Sequence, residues 1–91
     1  MANKKLDPYS IVKYPISTEK AVRLMEKNNK LTFIVNRIST KNEIKKALEH
    51  IYKIKILKVN TIITNKGIKK AYVKLPKDTI ALDIATKIGI M

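Results

Sequence analysis

The sequence predicts an α+β fold: a two-layer or three-layer sandwich of helices packed on a small antiparallel sheet with a long hairpin. Three observations predict it. Apolar residues recur at helical spacing around Ala21, around Ile44–Ile51 and around Ala81–Ile88. A strand-forming run, Leu31–Val35, stands directly before the strongest of these helices. Two alternating segments flank the turn sequence Asn65-Lys66-Gly67 and read as a hairpin.

Pro8 and Pro15 bracket Tyr9–Tyr14, a segment holding Ile11 and Val12 that fits either an edge strand or a single helical turn. Ser17 or Thr18 can cap the next helix, and Glu19 lies where a helix N-terminus favours negative charge. Ala21, Leu24 and Met25, with Val22 alongside, form its apolar stripe, and Asn28-Asn29 ends it. In the following strand Leu31, Phe33 and Val35 share a face. Asn36 to Ser39 then turn the chain.

The strongest helix runs from Thr40 to Tyr52. Thr40 and Glu43 have the spacing of a capping box, in which hydroxyl and carboxylate each satisfy a backbone donor. Ile44, Ala47, Leu48 and Ile51 make one buried stripe. A long strand is expected over Ile54 to Thr64, with a bulge where the alternation changes phase at Ile56-Leu57. Beyond it Leu57, Val59, Thr61 and Ile63 share a face. Gly67 is free to take positive φ in the turn, Ile68 to Leu75 returns, and Pro76 stops the strand. Asp78 or Thr79 is expected to cap a last helix carrying Ala81, Ile84, Ala85 and Ile88, with Gly89 at its C-terminal cap. Residues 1–8 read as a flexible basic tail and 9–91 as a single α+β domain that binds RNA.

Charge narrows the function. Twenty Lys and Arg oppose seven Asp and Glu, for a formal net charge of +13. A lysine-rich surface built from ion-pair networks needs nearly matched acids, which this chain lacks. The excess implies a polyanion, with nucleic acid ahead of a membrane surface. All but Arg23 and Arg37 of the cations are lysines, point charges suited to phosphates rather than to bidentate base reading. Affinity should therefore be salt-sensitive, with specificity from RNA shape. Cysteine is absent, which excludes disulfides and thiolate metal sites. No apolar run has the length of a membrane span or a signal core, so a cytoplasmic location without membrane insertion is expected.

The charge is concentrated. No acidic residue falls between Glu49 and Asp78, and that stretch holds eight lysines from Lys53 to Lys77. On the second hairpin strand Ala71, Val73 and Leu75 face one way, and Lys70, Tyr72 and Lys74 the other. An aromatic ring between two lysines can stack on a base or ribose while the ammonium groups meet phosphates. The alternative is a solvated strand with one amphipathic tyrosine. Catalysis finds little support. His50, the single histidine, sits on the polar side of the capped helix in register with Glu43, Lys46 and Lys53. The carboxylates are scattered, no glycine-rich phosphate loop exists, and no cluster has metal-ligand spacing. No enzyme activity and no cofactor are expected.

Four segments, in order, resemble the ribosomal large-subunit protein twenty-three family, a universal protein of the peptide exit tunnel. Pro15-Ile16-Ser17-Thr18-Glu19-Lys20-Ala21 is similar to its proline-then-Thr-Glu-Lys signature. Thr40-Lys41-Asn42-Glu43-Ile44-Lys45 is similar to its Thr-Lys-x-Glu-Ile-Lys helix start, and Val59-Asn60-Thr61 to its Val-Asn-Thr. Lys69-Lys70-Ala71-Tyr72-Val73-Lys74-Leu75 is similar to its closing basic strand. The match runs from about Pro8 to Met91. The short hairpin and the Gly89-Ile90-Met91 ending resemble archaeal members, whereas bacterial members carry a long basic loop that reaches into the tunnel.

The resemblance implies a structural constituent of the large ribosomal subunit that binds its ribosomal RNA directly and early, near the exit tunnel. It further implies contact with ribosomal protein twenty-nine, and a docking site for signal recognition particle, the protein-conducting channel or nascent-chain chaperones. The residues it points to for RNA are Thr18, Glu19, Lys20, Lys41, Lys45, Asn60, Thr61, Lys69, Lys70, Tyr72 and Lys74. Their lysines would meet phosphates, Asn60 and Thr61 would bond sugar or base edges, and Tyr72 would stack. Glu19 could instead order the Thr18–Lys20 turn. The alternative to this reading is a free basic RNA- or DNA-binding regulator on a similar fold.

Overall fold

The computed structural model describes residues 8–89. The expected basic tail lies almost wholly outside them, as do Ile90 and Met91. The segment between the first two prolines resolves into both elements that its sequence allows. A single helical turn, α1 (Pro8–Ile11), leads straight into an edge strand, β1 (Val12–Pro15). Proline is at ease at the first position of a helix, where its missing N–H costs nothing.

Helix α2 (Glu19–Asn28) is capped by Thr18, whose hydroxyl accepts from the Ala21 N–H at 3.3 Å. Asn29 ends it in the left-handed conformation, φ 54°. Strand β2 (Lys30–Val35) follows at once, then α3 (Lys41–Tyr52). The capping box of α3 is complete: Glu43 N–H donates to the Thr40 hydroxyl at 3.2 Å, and Thr40 N–H donates to the Glu43 carboxylate at 2.9 Å. The hairpin is β3 (Lys58–Ile63) and β4 (Lys69–Lys74), and α4 (Ala81–Lys87) closes the described chain.

The sheet runs β1-β2-β4-β3, and every neighbouring pair is antiparallel. The β2–α3–β3 crossover skips one position, and β4 returns to fill it. Beneath the sheet the main core joins Leu31, Phe33, Val35, Ala71 and Val73 to Ile44, Ala47 and Leu48 of α3. The Phe33 and Tyr52 rings lie 5.7 Å apart, and burial pushes the Tyr52 phenol above its ordinary pKa. Ala81, Ile84 and Ala85 of α4 join the same core.

Helices occupy both faces. While α3 covers the Phe33 side, Ala21 and Leu24 of α2 share a shallow depression with Thr32 and Tyr72, which point the other way. This explains why Thr32 is buried along with Leu31, Phe33 and Val35 rather than alternating with them. The β4–β3 part of that second face carries Lys58, Lys70 and Lys74.

Two expectations need correction. The long strand from Ile54 begins only at Lys58. Lys53 takes the left-handed conformation, φ 55°. Ile54 and Ile56 then fold back onto the core, and the Ile56 N–H is satisfied by the Glu49 carboxylate at 3.2 Å instead of by a strand. The change of phase marks where pairing starts, not a bulge, and Leu57 is left 62% exposed. The second correction concerns α4. Neither Asp78 nor Thr79 caps it: the cap position is Ile80, which offers no side-chain bond. Asn29 serves instead, its Oδ1 accepting from the Ala81 N–H at 2.7 Å.

Candidate nucleic-acid interface

Strand register places the lysines. Antiparallel pairing sets Thr32 opposite Tyr72, and Tyr72 opposite Asn60, so these three share a row across the second face. The row on one side is Ile34, Lys70 and Ile62; the row on the other is Lys30, Lys74 and Lys58. Because directly opposite residues in a sheet project to the same side, Lys70, Tyr72, Lys74 and Asn60 belong to one surface. The four strands contain Lys13, Lys30, Lys58, Lys69, Lys70 and Lys74 and no acidic residue. No carboxylate of the sheet itself can offset this field.

Helix α2 completes the site from above. Thr18 and Lys20 at its start line the same depression as Lys70 and Tyr72. Thr18 is committed to its cap, so what it offers a ligand is mainly the positive end of the helix. Glu19 is exposed in the first turn and does not line the depression. On the floor the Thr32 hydroxyl is buried without a hydrogen-bond partner. The half-buried Tyr72 ring between Lys70 and Lys74 offers a stacking platform of the kind that contributes about 1–3 kcal/mol per base.

Other residues singled out from the sequence lie elsewhere. Lys41 and Lys45 are on α3, across the sheet. Thr61 pairs with Ala71 and so faces the α3 side. Lys69 pairs with Val35 and Ile63 on that side, and its Nζ donates to the Ser39 carbonyl just ahead of α3. Its role in the fold is to tether the β2–α3 turn. The structure adds Lys30 and Lys58, which flank Lys74 in a groove also lined by Asn28, Leu57 and Asn60. Alternation along each strand carried part of that signal. The register that aligns the three lysines comes only from pairing distant strands.

His50 is exposed on α3. Among the described residues no group of three or more His, Cys, Asp or Glu side chains comes together to hold a metal ion, and no helix is long and apolar enough to cross a membrane.

Comparison with known proteins assigns the chain to a family. The sequence profile described as ribosomal protein L23 matches residues 10–68, which include β1, β2, the capped helix α3, β3 and the hairpin turn. A protein of Trypanosoma brucei brucei, named large ribosomal subunit protein uL23, is 47% identical over 87 residues, 96% of this chain and 53% of its own length. The chain thus spans about half the length of this relative. The profile match and this identity over nearly the whole chain show that it belongs to the ribosomal protein L23 family.

Proposed function

We propose that the chain is a structural constituent of the large ribosomal subunit, in the cytoplasm, and that it binds large-subunit ribosomal RNA through the lysine face of its sheet. The observation that carries this reading is the placement of Tyr72 between Lys70 and Lys74 on a surface whose strands hold no acid, next to the start of α2. Lysines neutralise phosphates, Tyr72 stacks on an unpaired base or ribose, and Asn60 bonds a sugar or base edge. Lys41, Lys45 and Thr61 would need a second RNA segment, because the sheet separates them from this face. Lys69 acts through the fold.

The family points to a place beside the polypeptide exit tunnel. There the chain would neighbour ribosomal protein twenty-nine and contribute to the docking site for signal recognition particle, the protein-conducting channel or nascent-chain chaperones. The hairpin closes tightly, with Thr64 N–H bonded to the Ile68 carbonyl at 2.8 Å and Gly67 at φ 78°. This turn is too short to line a tunnel, so the role proposed is at its rim.

Replacing Lys70 and Lys74 together with glutamate tests the face. Binding to a large-subunit RNA fragment should weaken, and the slope of log affinity against log salt should become shallower by about 2. Unchanged binding by a folded variant would exclude this face. A free regulator would instead bind duplex DNA and ribosomal RNA fragments equally in competition.

A further inference from the structure

We propose that Lys30, Lys58 and Lys74 form a phosphodiester cradle, separate from the Tyr72 depression, whose mutual repulsion is relieved when a backbone phosphate lies among them. Only the source of the phosphate, ribosomal RNA, rests on the function proposed above.

Three observations carry it. Lys74 is directly opposite Lys30 on one side and Lys58 on the other, so three like charges form one unbroken row across β2, β4 and β3. Like charges directly opposite each other destabilise a sheet. The three residues also line one groove. Finally, Lys74 is anchored: its Nζ donates to the Asn28 carbonyl at 2.8 Å, at the C-terminal end of α2 where partial negative charge gathers. One ammonium is thus held in place while Lys30 and Lys58 remain to close on an anion. Asn60 supplies an amide to the same groove, and the exposed Leu57 an apolar wall for a sugar. Roughly 7 Å of strand separates Tyr72 from Lys74, room for a nucleotide with its base on the ring and its phosphate in the cradle.

The test uses the full chain with Lys30→Gln and Lys58→Gln, singly and together, and Lys46→Gln on the exposed side of α3 as the control for lowering net charge. Thermal unfolding is followed with and without inorganic pyrophosphate, and affinity for a large-subunit RNA fragment is measured against salt. The cradle predicts opposite signs. Each variant should melt about 2 °C or more higher than the Lys46→Gln protein in the absence of anion. The double variant should lose the stabilisation that pyrophosphate gives the unsubstituted protein, and its RNA salt slope should be shallower by about 2. Melting no higher than the control, with pyrophosphate stabilisation intact, overturns the cradle and leaves RNA binding standing. Loss of the pyrophosphate effect in a protein that never binds the RNA fragment supports the cradle and overturns its ribosomal source.

Discussion

At Asn29 one side chain decides three things at once. Its backbone takes the left-handed conformation that ends α2, which costs most residues about 1–2 kcal/mol. Its Nδ2 donates to the Pro76 and Thr79 carbonyls at 3.0 and 2.6 Å, and its Oδ1 caps α4 through Ala81. A third contact, to Leu75 at 3.4 Å, is too long to rank with these, and an amide has only two hydrogens to give. Asn29→Ala should destabilise the protein by about 2–4 kcal/mol, from the lost cap and the left-handed strain together. Asn29→Gly should cost less, because glycine keeps the backbone and loses only the side-chain bonds. Chemical denaturation of both variants checks the order, and equal losses would mean the left-handed turn contributes nothing. Thr32 predicts the reverse sign. Its buried hydroxyl has no partner, so Thr32→Val should be neutral or stabilising by up to about 1 kcal/mol. A clear drop in melting temperature would show that the hydroxyl is satisfied in solution.

Among the elements, α3 was the most legible, because everything that defines it is local. Its cap, its stripe and its polar face all lie within Thr40–Tyr52, and each appears where the spacing put it. Thr40→Ala should cost about 1 kcal/mol, measurable as a lower denaturation midpoint with an unchanged slope. What sequence reading lost was non-local. The start of β3 depends on Glu49 reaching the Ile56 N–H, and the start of α4 depends on a residue 52 positions away. The burial of Thr32 depends on which face α2 crosses, a matter the alternation of β2 cannot express. The candidate site divides in the same way. Lys70, Tyr72 and Lys74 were legible as one side of one strand, whereas Lys30 and Lys58 emerged only with the register. Lys69 alternates correctly but is spent on the Ser39 carbonyl.

Taken whole, the molecule carries a charge of +13, and four strands without a single acid form the sheet at its centre. The uncovered part of that sheet presents lysines in register, one aromatic ring and the start of a helix. A polyphosphate partner answers all three, and the partner proposed is the RNA of the large ribosomal subunit. The most direct measurement is amine acetylation of the free protein and of purified large subunits, with each lysine's reactivity read by mass spectrometry. Lys58, Lys70 and Lys74 should become strongly protected in the subunit relative to the free chain. Equal reactivity of these three lysines in both states would contradict the assignment of this face to RNA.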